Sequence, residues 1–407
     1  FREKYNEALS RLPVVRSSID ITRVEGWITN KTSNFENSRN IVAFMDLGEG
    51  RINGSTGHIL ASDAVITSIQ ESPPNNEANN LYNQLVGPGG IQGVRNISQT
   101  NTVLQQQWGD EGFRSGQDFV KLENARKLND NEFTLNEKLG YISLKSPLRN
   151  DEVLAVAFEY TIAGEQHQVG EFSNQGITSP EALMVKLLKG TSFTPKFPNW
   201  KLMMKNIYSI NAYQVNREGF RLNILYQDDQ TGNELNYIPA GKIRDEMLLR
   251  VLNVDNVNTQ NDANPDGMFD FIPGITIDPS NGKIIFPVVQ PFGDYLKQQF
   301  GNDAIAREYV FEELYDSTLT VAQQTAEKNK FKLKGEYQSS SSSEIPLNAM
   351  NIPEGSVVVT AGGRQLQENI DYTVDYNLGR VKILNEGLLE SGTPIQISLE
   401  SQSTYSM

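Results

Sequence analysis

The residues best placed to do chemistry lie in NDANPDGMFD, residues 261–270. Asp262, Asn264 and Asp266 alternate, Gly267 stands sixth counting from Asp262, and Asp270 stands ninth. A calcium loop places oxygen ligands at positions 1, 3, 5 and 9 and glycine at 6, because a hard cation with many oxygen ligands needs a chain that turns sharply around it. Calcium is therefore the one cofactor this pattern points to, with Asp262, Asn264, Asp266 and Asp270 as the metal-ligating candidates. Position 12, where a bidentate Glu belongs, holds Pro273, and the flanks do not read as two helices. The competing reading is a polar turn in which Asn and Asp bond their own backbone.

Other candidates are weaker. The chain has no cysteine, which excludes disulfides, thiolate nucleophiles and thiolate metal sites. Imidazole comes only from His58 and His167, far apart in sequence, so a zinc site is not expected. GEGRING (48–54) misses the dinucleotide fingerprint by one residue, and NGSTG (53–57) lacks the first glycine of a nucleophile elbow. Ser55 and His58 in that loop form no triad. The pairs Asp228-Asp229 and Glu312-Glu313 read as solvated faces, and Trp27, Trp108 and Trp200 as core anchors. No catalytic constellation emerges, and the chain is not expected to be an enzyme.

Composition narrows the partners. The 407 residues include 36 basic and 50 acidic ones, a net charge of −14, which repels phosphate backbones and argues against nucleic acid. No run of four or more Lys/Arg marks an anionic-membrane patch, no apolar run approaches a membrane-spanning helix, and no direct lipid contact is expected. The start at Phe1 suggests a piece of something longer.

The elements expected to position these residues are mostly strands. Residues 1–12 place Phe1, Tyr5, Leu9 and Leu12 on one helical face; 14–29 and 40–47 read as extended; 71–100 reads as loop with a short helix at 81–86. Ser179-Pro180-Glu181 reads as a helix start running to Lys189, and 200–213 reads as helix or strand, with a helix ending near Tyr208 and then a strand preferred. Residues 219–228 and 331–338 alternate as strands, 241–252 and 302–329 read as helical with a break at Asp316-Ser317, and Ser339–Ser343 reads as a linker.

One stretch occurs three times: FTLNEKLGYISL (133–144), ITIDPSNGKIIF (275–286) and YTVDYNLGRVKI (372–383). Each reads as a β-hairpin, in which Asn136, Asp278 or Asp375 starts the turn and Gly140, Gly282 or Gly379 closes it with a positive φ. ARKL (125–128) and GRQL (363–366) precede the first and third copies, so these two are expected to be one small β-sandwich module used twice, with the middle copy sharing only the hairpin. The fold class that follows is α+β, mostly antiparallel β, with repeated small β-sandwich-like modules and intervening helices. The expected domains are 1–70 (β-rich), 71–112 (loop and short helices), 113–170 (first hairpin module), 171–330 (mixed, second hairpin) and 331–407 (third hairpin module).

The stretches RVEGWITN (23–30), RNIVAFMDLGEG (39–50), 265–293, FEELYDST (311–318), 329–363 and 371–401 resemble, in order, the SprA/Sov family of gliding-motility and secretion proteins. Residues 51–117 lie outside the resemblance, and Gly26 stands where the family has a bulky apolar residue, which predicts a bulge or a weaker core there. The resemblance implies a very large outer-membrane protein that forms the translocon of the type IX secretion system and exports folded cargo through a single-chain β-barrel carrying soluble insertions. This chain would be one such segment, at the outer membrane or cell surface, on its periplasmic or extracellular face. Its partners would be other parts of the parent, accessory secretion proteins and cargo in transit. The resemblance carries no catalytic residues with it. The rival readings are a surface adhesin or carbohydrate-binding array of β modules and, further off, a hydrolase.

Overall fold

The computed structural model describes residues 2–50, 60–67, 73–338, 344–347, 349, 351–385, 387–388 and 393–399. The Ser55–His58 loop and the serine run 339–343 lie outside these. By contacts the chain divides into two compact units, Phe1–Lys205 with Glu312–Thr325, and Asn206–Phe311 with Ala326–Met407. Both are α+β with mainly antiparallel strands. Among the described residues no helix is long and apolar enough to cross a membrane.

In the first unit, β1 (Ile19–Ile28), β2 (Ser38–Phe44), β3 (Phe119–Lys127), β6 (Leu154–Ile162) and β8 (Leu183–Lys189) pair in the cyclic order β1-β3-β2-β8-β6-β1. All pairs are antiparallel except β2–β8. The ring is a small barrel, and period-two alternation fills it. Trp27, Ile41, Ala43, Met45, Ala155, Ala157, Leu183, Val185 and Leu187 share one buried cluster, while the alternate residues Val42, Phe44 and Met184 face outward into another. That second cluster is covered by α2 (Leu81–Val86) and α3 (Thr100–Trp108), through Leu81, Leu85, Leu104 and Trp108. The helix expected at the start forms as α1 (Arg2–Ala8), and β7 (Glu165–Val169) extends β6 as a hairpin. The turn after β7 sends the fully buried Phe172 into the inner cluster. Arg23 lies 3.9 Å over its ring, and Arg39 holds the same turn through the carbonyls of Ser173 and Ile177 at 3.2 and 2.7 Å.

Two helices expected from the sequence are not helices. Residues 183–189 form β8, because Leu183–Leu187 are buried on both faces between β2 and β6; a continuous apolar run has no period to distinguish strand from helix. The stretch 198–202 is a single 3-10 turn in place of a helix to 208, and the strand expected after it forms as β9 (Ile207–Ser209). Gly26 is not a bulge either. It pairs in register with Val156, the irregularity falling between Ile21 and Arg23, and a Cβ at 26 would lie 2.8 Å from Leu128 Cδ1. The small residue lets Leu128 cross the strand.

The three hairpins form, with a changed kinship. The first, β4 (Phe133–Asn136) with β5 (Tyr141–Leu144), is two-stranded and lies outside the barrel. Phe133, Ile142 and Leu144 pack there on Ile28, Leu128 and Leu154. Its flanking strands β3 and β6 do not pair with each other, since both enter the barrel with β1 between them. In the second unit β12 (Ile277–Asp278) and β13 (Lys283–Ile285) take β9 as a third strand, and β18 (Tyr372–Asp375) and β19 (Arg380–Ile383) take β15 (Glu344–Pro346). Tyr208 faces Ile284 as Ile345 faces Val381. It is thus the second and third copies that share a three-stranded device, and its added strand is followed in sequence by Ile210-Asn211-Ala212 in one case and Leu347-Asn348-Ala349 in the other.

The C-terminal module is a small sandwich. The β15-β19-β18 sheet shares a core with β16 (Val357–Ala361), β17 (Arg364–Gln365) and β20 (Ile395–Leu399), built on Val357, Val359, Tyr372, Val381 and Ile383. Elsewhere in the second unit β10 (Arg221–Gln227) pairs with β11 (Glu234–Leu235) and β14 (Phe331–Glu336). Short helices separate these strands: α4 (Leu248–Val251), α5 (Asp294–Phe300) and α6 (Asp303–Tyr309). The break expected at Asp316-Ser317 falls between α7 (Glu313–Asp316) and α8 (Leu319–Gln324) of the first unit.

Candidate functional site

The 255–270 loop, which holds the calcium candidates, is tied together by carboxylates that accept backbone N–H bonds. Asp270 is buried; its Oδ2 accepts from the Asn256 backbone and side-chain nitrogens at 2.7 and 3.2 Å, and its Oδ1 from Val257 N at 3.0 Å. Burial pushes its carboxyl above the usual range, and those bonds pull it back. Asp255, also buried, accepts from Asp266 N and Gly267 N at 3.0 and 3.1 Å and meets the Arg250 guanidinium at 3.3 Å. Asp266 Oδ1 accepts from Met268 N at 3.0 Å, and Asp262 lends its carbonyl to Asn258 N and Asn264 N. Asp262, Asn264 and Asp266 are exposed. The four candidates therefore divide between solvent and interior. Among the described residues no three His, Cys, Asp or Glu side chains are grouped to hold a metal ion.

This arrangement closes a loop with two buried carboxylates, Asp255 and Asp270. Asp255 lies before the alternating pattern, so spacing alone gives no sign of it. Asp270→Ala is expected to cost about 2–4 kcal/mol by stranding the buried Val257 N–H and the part-buried Asn256 N–H, whereas Asp266→Ala should change little. Thermal melts with 2 mM calcium or with chelator should superimpose for the parent. A calcium-dependent rise in melting temperature that Asp266→Ala removes would support the metal reading instead.

Three more charge clusters lie in the first unit. Glu171 is buried and accepts from Tyr82 Oη (2.8 Å), Arg95 Nη1 and Nη2 (2.9 and 2.6 Å) and Met184 N (2.8 Å). Glu25 is likewise buried and bonds Arg23, Lys127 and Ser173. At one barrel end the buried Lys186 donates to Met45 O and Glu49, beside the buried Asp46 and Asp118. Asp46 accepts from Leu60 N and Ala61 N, and Asp118 from Arg114 N. These groups are committed to holding chain segments. Asp228, expected to be solvated, is also buried and caps its own turn through Thr231. His167 stacks on Tyr160 with ring centroids 5.4 Å apart, and Trp27 and Trp108 are buried anchors.

Desolvation, with Asp46 adding to it, pushes the Asp118 carboxyl up to about 6. A raised acid holds its proton in the folded state after the unfolded chain has released it. Its contribution is thus fully present below the ordinary aspartate range and is lost as pH rises through about 6. Asp118→Asn keeps an acceptor for Arg114 N and removes the buried charge. The variant should be more stable than the parent by about 1–3 kcal/mol at pH 7.5, with the difference vanishing at pH 4. Paired melts across that range check it.

No family model matches the chain, and no curated protein matches it.

Proposed function

We propose that this chain is a non-enzymatic segment of an outer-membrane protein-secretion translocon of the type IX system, which also supports gliding. It would build a cap, vestibule or partner-docking surface on the periplasmic or extracellular face. What carries this reading is the ordered series of stretches that resemble the SprA/Sov family, densest over 265–401. What supports it further is the work those residues do. Asp278 and Asp375 accept turn N–H groups from Ser280 and Asn377 at 3.1 Å, and Gly282 and Gly379 take positive φ, so the resembling residues set shape. Repeated shape-setting devices suit a scaffold that presents surface to other parts of the parent, to accessory proteins and to passing cargo.

Deleting 344–401 from the parent protein should stop export of folded cargo while the parent still reaches the membrane; normal export would overturn the reading. The second reading, an adhesin or carbohydrate-binding array, is favoured by the sandwich of the C-terminal module. Broad glycan-array binding by the 407-residue chain would support that alternative.

A further inference from the structure

Residues 182–217 contain no acidic side chain, in a chain of net charge −14. The core of that stretch is FTPKFPNWKLMMK, residues 193–205, in which lysines alternate with aromatic and apolar residues. Its inner side is fixed to the first unit. Trp200 Nε1 donates to Tyr315 O at 2.7 Å, and Phe193 packs on the Trp200 ring at 5.0 Å. Lys205 Nζ lies 4.3 Å over the same ring and donates to the Leu314 and Tyr315 carbonyls. Arg2 Nη1 donates to Lys201 O at 3.2 Å. The outer side is a single 3-10 turn, Pro198–Leu202, on which Leu202 and Met203 are 41% and 37% exposed, with Lys196 and Lys201 exposed as well.

We propose that this turn binds an anionic phospholipid surface, with Leu202 and Met203 entering the acyl boundary and Lys196 and Lys201 meeting headgroup phosphates. Scattered exposed apolar residues need no explanation in themselves. Here two adjacent ones sit on an anchored turn, flanked by cations and backed by Trp and Phe, the combination that lies stably at a membrane interface. Charge complementarity selects the occupant: the acid-free, lysine-bearing stretch attracts the anionic leaflet that the rest of the chain repels. Glu313 and Asp316 of α7, which flank the Leu314 and Tyr315 carbonyls that hold the anchor, oppose it, so the contact is reversible. The expectation of no lipid contact rests on the lack of basic runs and of long apolar runs, whereas a surface contact of this kind needs neither, and these lysines are dispersed about the exposed turn. The inference does not depend on the secretion reading.

The test uses the 407-residue chain with phosphatidylcholine vesicles, with and without phosphatidylglycerol, in a flotation assay at low and high salt. Binding should require phosphatidylglycerol and fall with salt. It should weaken about fivefold in each of Lys196→Gln and Lys201→Gln, and at least about tenfold in Leu202→Ser/Met203→Ser. All four side chains are exposed, and melting temperatures should match the parent. Because the chain has no cysteine, Leu202→Cys accepts a single polarity-sensitive dye, which should shift to the blue on anionic vesicles. Equal partition onto neutral vesicles, no blue shift, or unaltered binding by the Leu202→Ser/Met203→Ser variant would overturn the proposal. So would finding that the same variants lose concentration-dependent dimerisation or binding to polyglutamate, with lipid binding intact.

Discussion

Gly379→Ala and Gly282→Ala should each destabilise the second unit by more than about 3 kcal/mol, the left-handed backbone accounting for about 1–2 of this. Gly379 has φ +64° and Gly282 φ +54°. In both, the face where a Cβ would stand is occupied by a carbonyl oxygen of the chain following the third strand, that of Ala349 over Gly379 and of Ala212 over Gly282. That chain is held in place by bonds from Leu347 N to Gly379 O at 2.7 Å and from Ile210 N to Gly282 O at 2.9 Å. A methyl group must displace backbone, which is costlier than repacking a flexible side chain. Gly355 is the control within the same module. Its φ is +76°, but no atom lies within 4 Å of an added Cβ, so Gly355→Ala should lose only about 1–2 kcal/mol. Urea denaturation of the three variants reads the difference. Equal losses at 355 and 379 would show that strain alone, and not the carbonyl, decides.

Arg95→Met is expected to cost about 3–5 kcal/mol, because it leaves Glu171 charged and buried with only Tyr82 and a backbone N–H as partners. The guanidinium links the chain between α2 and α3 to the barrel, donating also to Ala182 O at 3.0 Å. Its own proton is held more tightly than usual, chiefly through the bond to Glu171. Arg95→Met/Glu171→Leu should recover much of the loss, since removing both charges also removes the desolvation penalty. Hydrogen exchange over residues 81–108 localises the effect. Protection unchanged there in Arg95→Met would mean that the apolar packing of Leu81, Leu85, Leu104 and Trp108 holds this layer without the ion pair.

Much of the fold was legible where local chemistry suffices. The hairpin turns are visible because Asn or Asp followed by Gly has a fixed local use, and α2 because its apolar spacing stands out from a Pro- and Gly-rich loop. β8 was not legible, since its period is erased by burial on both faces. Nor was the kinship of the second and third hairpins. Their third strands lie before the turn by very different lengths of chain, and only the short Asn-Ala echo at 211–212 and 348–349 marks them. The calcium pattern was readable as spacing. Which of its carboxylates turn inward, and that Asp255 joins Asp270 there, are tertiary facts.

The closed pairing of the barrel also constrains the order in which this chain can become a protein. β1 runs Ile19 to Ile28, yet its full-length partner is β6, with Ile19 opposite Ile162. During synthesis β1 must wait, with Ile19, Ile21 and Trp27 still uncovered, until β6 has left the ribosome, and the ring cannot shut until β8 follows. Such distant pairing is slow to form, and it leaves an apolar strand open to misassembly in the interval. Any version of the chain that stops short of residue 154 would keep β1 in that waiting state.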